Sequence, residues 1–151
     1  LPTITKTKTS YILFSSMELN NNGLDLILFK PIKQLTMKSF GTSKSFLLTK
    51  DKEWETVGEG VKRKIMGYDD KIMLVHVSFE KGSIGPMHQH HHSQVTHVVA
   101  GVFDVTIDGE TQRLSTGDNF YIPTNVLHGA VCIEPGQLID VFSPIREDFM
   151  E

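Results

Sequence analysis

Turn signals recur about every eight to twelve residues through the last eighty residues of this 151-residue chain, and that rhythm restricts the fold more than any other feature. Glu80-Lys81-Gly82, Gly101, Asp108-Gly109, Gly117-Asp118, Pro123 and Glu134-Pro135-Gly136 each interrupt a short apolar segment. Between them, Met73, Val75, Val77 and Phe79 alternate with more polar neighbours, as do Phe103, Val105 and Ile107. Further strands are expected over 95–100, 111–114, 119–122, 128–133 and 138–142. Asp108-Gly109 marks a two-residue hairpin. No long amphipathic helix is present, and 145–149 after Pro144 offers one turn at most. The pattern predicts an all-β sandwich or barrel.

The first fifty residues read differently. Leu1 to Ser16 is rich in Thr and Ser, Asn20-Asn21-Asn22-Gly23 breaks what precedes it, and the apolar run from Leu24 stops at Pro31. Residues 1–45 are therefore expected to be an N-terminal extension, partly disordered or added as an edge strand. Residues 46–151 form the expected domain, with Met37 a candidate natural start. Charge divides the same way. Residues 1–50 carry seven lysines against Glu18 and Asp25, a balance of +5, while the remainder carries eight basic and sixteen acidic groups, a balance of -8. An acidic domain is a poor match for nucleic acid or an anionic membrane surface. No apolar run approaches the roughly 18 residues of a membrane span. Cys132 is the single cysteine, so the expected compartment is reducing and cytoplasmic. A core this small also makes a homodimer a reasonable expectation.

All seven histidines lie between His76 and His128. In His88-Gln89-His90, positions i and i+2 share one face of an extended strand, so both imidazoles can converge on one ion. Gln94 lies four residues further, and His128 opens a later strand. Three imidazoles and an amide oxygen make a plausible divalent-metal site with positions left for water or substrate. His91 has the wrong parity for this site. His92 has the right parity and is expected on the cavity rim, while His76 and His97 read as packing or subunit-contact residues.

The spacing around these residues resembles the two cupin motifs. Gly82, His88-x-His90, Gln94 and Gly101 match the first. Gly117, Pro123-x-Asn125 and His128 resemble the second. The resemblance implies a single small jelly-roll barrel, or double-stranded β-helix, that holds a metal. It departs from the general pattern at Gln94, where most cupins have Glu, and at Asn125, where many have Gly. A neutral amide beside three neutral imidazoles leaves the ion close to its full +2 charge, a stronger Lewis acid than a carboxylate-quenched one.

Asp140-Val141-Phe142-Ser143-Pro144-Ile145-Arg146 supplies candidate chemistry. Asp140 and Phe142 share a strand face. If that face is interior, Asp140 is a general acid/base candidate, Phe142 an apolar wall and Arg146 a carboxylate fork. An Asp140–Arg146 ion pair at a subunit interface explains the same residues equally well. From about Trp54 to Phe149, the chain also resembles the KdgF family of pectin-degradation cupins, through 60–68, 75–82, 84–86, 122–129 and 140–149. That resemblance implies conversion of cyclic 4,5-unsaturated uronates into linear keto-uronates in a bacterial cytoplasm. It implies His88, His90, Gln94 and His128 as ligands to one divalent ion (nickel, zinc, manganese or iron). Asp140, Phe142 and Arg146 then face a small-molecule uronate, without redox change. The competing readings are another metal cupin, such as a dioxygenase, and a non-catalytic sugar-binding cupin.

Overall fold

The structure, a computed structural model, describes residues 39–151, of which Phe40–Glu151 form one compact unit. The expected extension, up to residue 38 and including Met37, lies outside the described residues. No helix among the described residues is long and apolar enough to cross a membrane.

Eight strands account for nearly all regular structure: β1 (Glu55–Gly58), β2 (Val61–Asp69), β3 (Ile72–Phe79), β4 (Ile84–His88), β5 (Ser93–Ile107), β6 (Glu110–Ser115), β7 (Asn119–Ile122) and β8 (His128–Ser143). Short 3-10 turns cover Thr49–Asp51 and Glu147–Phe149. Every pairing is antiparallel, in the order β1-β2-β3-β8-β5-β6, with β4 added to β8 and β7 to β5. This is the all-β cupin barrel that the turn rhythm and motifs predict.

Two long strands organise it. β5 and β8 pair along their whole length, from Ser93↔Ser143 to Ile107↔His128. Here the structure departs from the local reading, which ended one strand at Gly101 and split another at Glu134-Pro135-Gly136. Those signals sit opposite each other and mark a bend, not two turns. The ladder shifts register between Val98 and Phe103, and Gly101 takes φ +91°. A Cβ on Gly101 would lie 2.5 Å from Gly136 Cα and 2.7 Å from Pro135 O, so the bend closes only where both side chains are absent. Beyond it each strand changes its second partner, β5 from β7 to β6. One half of β8 pairs with β3 and the other with β4.

The alternating faces behave as predicted. Met73, Val75, Val77 and Phe79 point inward from β3, and Phe103 and Val105 meet them from β5. Phe79 and Phe103 pack edge to face, with centroids 5.4 Å apart. At the β5–β6 hairpin both Asp108 (φ 50°) and Gly109 (φ 83°) are left-handed, as a type I′ turn requires. The alternation reading missed β1, β2 and β4. In β2 the buried positions Val61 and Lys64 are three apart, and a register shift between Ile65 and Gly67 breaks the period of two. Ahead of them, Ser43 exchanges hydrogen bonds with Tyr68: its N–H donates to Tyr68 O (2.9 Å), and its Oγ accepts from Tyr68 N–H (3.0 Å).

Candidate metal centre

His88 ends β4 directly opposite His128, the first residue of β8, and their rings lie 4.2 Å apart. His90 sits beyond the end of β4, so strand parity alone does not aim it. Its carbonyl is held instead by the Asn125 N–H at 2.8 Å. Asn125 is left-handed (φ 60°), a conformation that Asn tolerates better than most side chains, which explains its place where other cupins have Gly. The ring of His90 is thereby brought within 5.5 Å of His88 and 4.9 Å of His128.

All three imidazoles are pinned in the same way. Nδ1–H of His88 donates to Pro86 O (2.8 Å), that of His128 to Val126 O (2.8 Å), and that of His90 to His92 O (3.0 Å). Each bond fixes the tautomer and leaves the Nε2 lone pair free. One ligand atom from each ring lies within 4.8 Å of the others. Two further facts fit a cation at this point. His128 Nε2 is buried without any hydrogen-bond partner. His90 Nε2 and Gln94 Oε1 face each other at 3.1 Å, two lone pairs that a shared cation would reconcile. Burial holds His128 below its usual pKa and takes His90 down to about 4, the latter with help from the charge of Arg146. Both rings are therefore neutral at pH 7, the form that binds metal.

Gln94 comes from β5, and its amide is oriented by partners on the other side. Its Nε2 donates to Thr96 Oγ1 (2.9 Å) and to Asp140 Oδ1 (3.3 Å), and the Thr96 hydroxyl donates to the same Asp140 oxygen (2.6 Å). Asp140 stands on β8 opposite Val75 and Thr96. Burial pushes its carboxyl up to about 6, against the opposing pull of Thr96, Gln94 and Arg146. Phe142 is almost fully buried, with its ring edge-on to His90 at 5.7 Å. Asp140, Phe142, Arg146, Gln94, His88 and His128 all line one cavity of about 160 Å³.

Arg146 does not pair with Asp140. Its Nε and Nη2 donate to the two carboxylate oxygens of Asp148 (2.9 and 2.7 Å), and its guanidinium lies 4.0 Å over Phe149 and 5.2 Å over Phe142. The sequence reading named none of Thr96, Asp148, Phe149 or Arg63 as site residues. Thr96 could have been found by its parity with Gln94, and Asp148 by its place two residues after Arg146. Arg63 reaches the cavity from distant β2, pairing with Glu55 and stacking 3.9 Å over Phe149.

The other histidines have separate tasks. His92 is buried, not on the rim, and bonds Glu147 Oε2 through Nε2 at 2.8 Å. It ties the ligand loop to the turn that follows Arg146. His91 is exposed and stacks on His92. His76 bonds Gln137 beside Trp54, and His97 bonds Asn119 at the surface.

The comparisons agree with this architecture. Residues 75–142 match the Cupin_2 domain family. The chain is 45% identical over 107 residues to the pectin degradation protein KdgF of Dickeya dadantii (strain 3937), covering 70% of this chain and 97% of that one. Among solved structures, an RmlC-like cupin from Shewanella frigidimarina NCIMB 400 superposes with a TM-score of 0.70 at 46% identity, covering 72% of this chain and 97% of that one. KdgF from Halomonas sp. gives 0.68 at 42% identity, covering 71% and 99%. A barrel with three imidazoles converging at one end, matched over nearly the full length of these relatives, places the chain in the cupin superfamily, as a member of the KdgF family.

Proposed function

We propose that this protein is a non-redox enzyme that opens the ring of 4,5-unsaturated uronates from pectin or alginate breakdown, yielding linear keto-uronates. One observation carries the reading: imidazole and amide metal donors, a carboxyl poised near 6 and a buried arginine line one cavity of about 160 Å³. The relatives named for pectin degradation supply the substrate class.

In this reading His88, His90, Gln94 and His128 hold one divalent ion, which when bound supplies a Lewis acid for an oxygen of the substrate. Arg146 takes the substrate carboxylate, and Phe142 packs on the ring. Ring opening is an isomerisation. The bond from the anomeric carbon to the ring oxygen breaks as the anomeric hydroxyl loses its proton, and the resulting enolate gains a proton on carbon and becomes a ketone. Asp140 takes the first proton and returns one to carbon, which a carboxyl of pKa about 6 can do in both directions. No oxidant is consumed, so nickel, zinc, manganese or iron could serve.

The test follows the ultraviolet absorbance of unsaturated galacturonate. Wild-type protein should deplete it well above the spontaneous rate. Asp140→Ala should lose at least 10²-fold while keeping its metal, and a chelator should silence the wild type. Full activity in Asp140→Ala would remove the proton-transfer role, and consumption of oxygen would point to a dioxygenase instead.

We also propose that two copies associate through the outer face of the sheet. Tyr121, Val95, Val141 and Leu74 lie in one row across β7, β5, β8 and β3. Val95 and Tyr121 are 50% and 57% exposed, an apolar strip on the outside of the barrel.

A further inference from the structure

Thr96 is fully buried, yet its only polar atom touches neither solvent nor the candidate ligand atoms of the histidines. A buried hydroxyl carries a desolvation cost unless it is used. Its two bonds show the use. The hydroxyl has one proton, and Asp140 Oδ1, 2.6 Å away, accepts it. The lone pair that remains can only accept, and the group 2.9 Å from it is the Gln94 side-chain amide. That end of the amide must therefore be the NH2 end. Asp140 Oδ1, itself an acceptor at 3.3 Å, enforces the same choice. The carbonyl end is left facing His90 Nε2 at 3.1 Å, toward the point where the imidazole lone pairs converge.

A glutamine is nearly symmetric in shape, and turning its amide over exchanges a metal donor for a group that repels metal. We infer that Thr96 is a positioning residue for the metal: its hydroxyl, oriented by Asp140, sets which end of the Gln94 amide faces the ion. This rests on the reading of Gln94 as a metal ligand. It also gives a reason for an amide at position 94. A carboxylate there would have no proton for Thr96 or Asp140, and would set two anions side by side.

The test is zinc affinity, measured on metal-free protein by competition with a chromogenic chelator. The variants are Thr96→Val, Thr96→Ala, Thr96→Ser, Gln94→Ala and the double variant Gln94→Ala/Thr96→Val. Loss of such an orienting partner typically weakens metal binding by about 10- to 100-fold. Thr96→Val and Thr96→Ala should both show a loss of that order, while Thr96→Ser should restore wild-type affinity. In the Gln94→Ala background, Thr96→Val should add nothing, because there is no amide left to orient. Thr96→Ala covers the case in which the valine methyl cannot be accommodated, and thermal unfolding of each metal-free variant separates a folding defect from a metal defect. If Gln94→Ala weakens zinc but both hydroxyl deletions leave it unchanged, the positioning role is wrong while Gln94 stays a ligand. If Gln94→Ala itself leaves zinc unchanged, the ligand assignment and the inference fall together.

Discussion

At the scale of single residues, Asp140 is held under tension between two requirements. Its neighbours Thr96 and Gln94 both donate to it, which favours the anion, yet burial raises its pKa to about 6. The unfolded carboxyl titrates near 3.9, so between about pH 4 and pH 6 the folded state binds the proton that the unfolded state has released. Stability of the metal-free protein must then fall as pH rises through this window. The full penalty of about 3 kcal/mol is present above pH 6 and absent below pH 4. Asp140→Asn keeps an acceptor oxygen for Thr96 and removes the charge. It should make the metal-free protein more stable than wild type at pH 8, by up to about 3 kcal/mol, and little different at pH 4. Urea denaturation at the two pH values measures this. A cavity carboxylate retained at such a cost is easier to understand as chemistry than as structure. Its inward place beside Phe142 was legible from strand parity. Its partner was not, because the Arg146 side chain turns to Asp148, a choice made by the 3-10 turn Glu147–Phe149.

At the scale of elements, the strands with a period of two were readable and the bends were not. β3, with four alternate residues buried, and the β5–β6 hairpin follow from local sequence. The glycines at 101 and 136 look locally like turns; only the pairing of β5 with β8 reveals them as a corner shared by both strands. Local signals report backbone conformation, and whether a kink ends a strand depends on what lies across from it. The two kinds of glycine should respond differently to alanine. At Gly109 a Cβ meets nothing within 4 Å, so Gly109→Ala pays only for its positive φ, about 1 kcal/mol. At Gly101 the same φ penalty is joined by backbone overlap on three sides, and the loss should exceed that of Gly109→Ala by at least about 1–3 kcal/mol. Equal denaturation midpoints for the two variants would mean that the corner yields more easily than its contacts indicate.

At the scale of the whole molecule, the described unit turns its polar groups into the cavity and leaves an apolar strip outside. Val95, Val141 and Leu74 lie side by side on outward positions of the same strands whose inward positions hold Gln94, Thr96, Asp140 and Phe142. Each strand thus serves the cavity with one parity and the outer face with the other. Val95→Lys should turn a dimer into a monomer by sedimentation, with the metal site intact. A wild-type monomer at micromolar concentration would refute the association. The acidic balance of residues 51–151 works against a uronate at long range, so attraction has to be local. In the proposed reading Arg146, already neutralised in part by Asp148, would leave much of that task to a bound ion.

The three backbone-anchored imidazoles carry one more consequence. Their Nδ1 protons are committed to the backbone carbonyls of Pro86, His92 and Val126. The cost of aligning the ring nitrogens is met by the barrel during folding, not by the ion on arrival. Such a socket should keep its fold when a chelator strips a bound ion, which circular dichroism of the chelated protein would check.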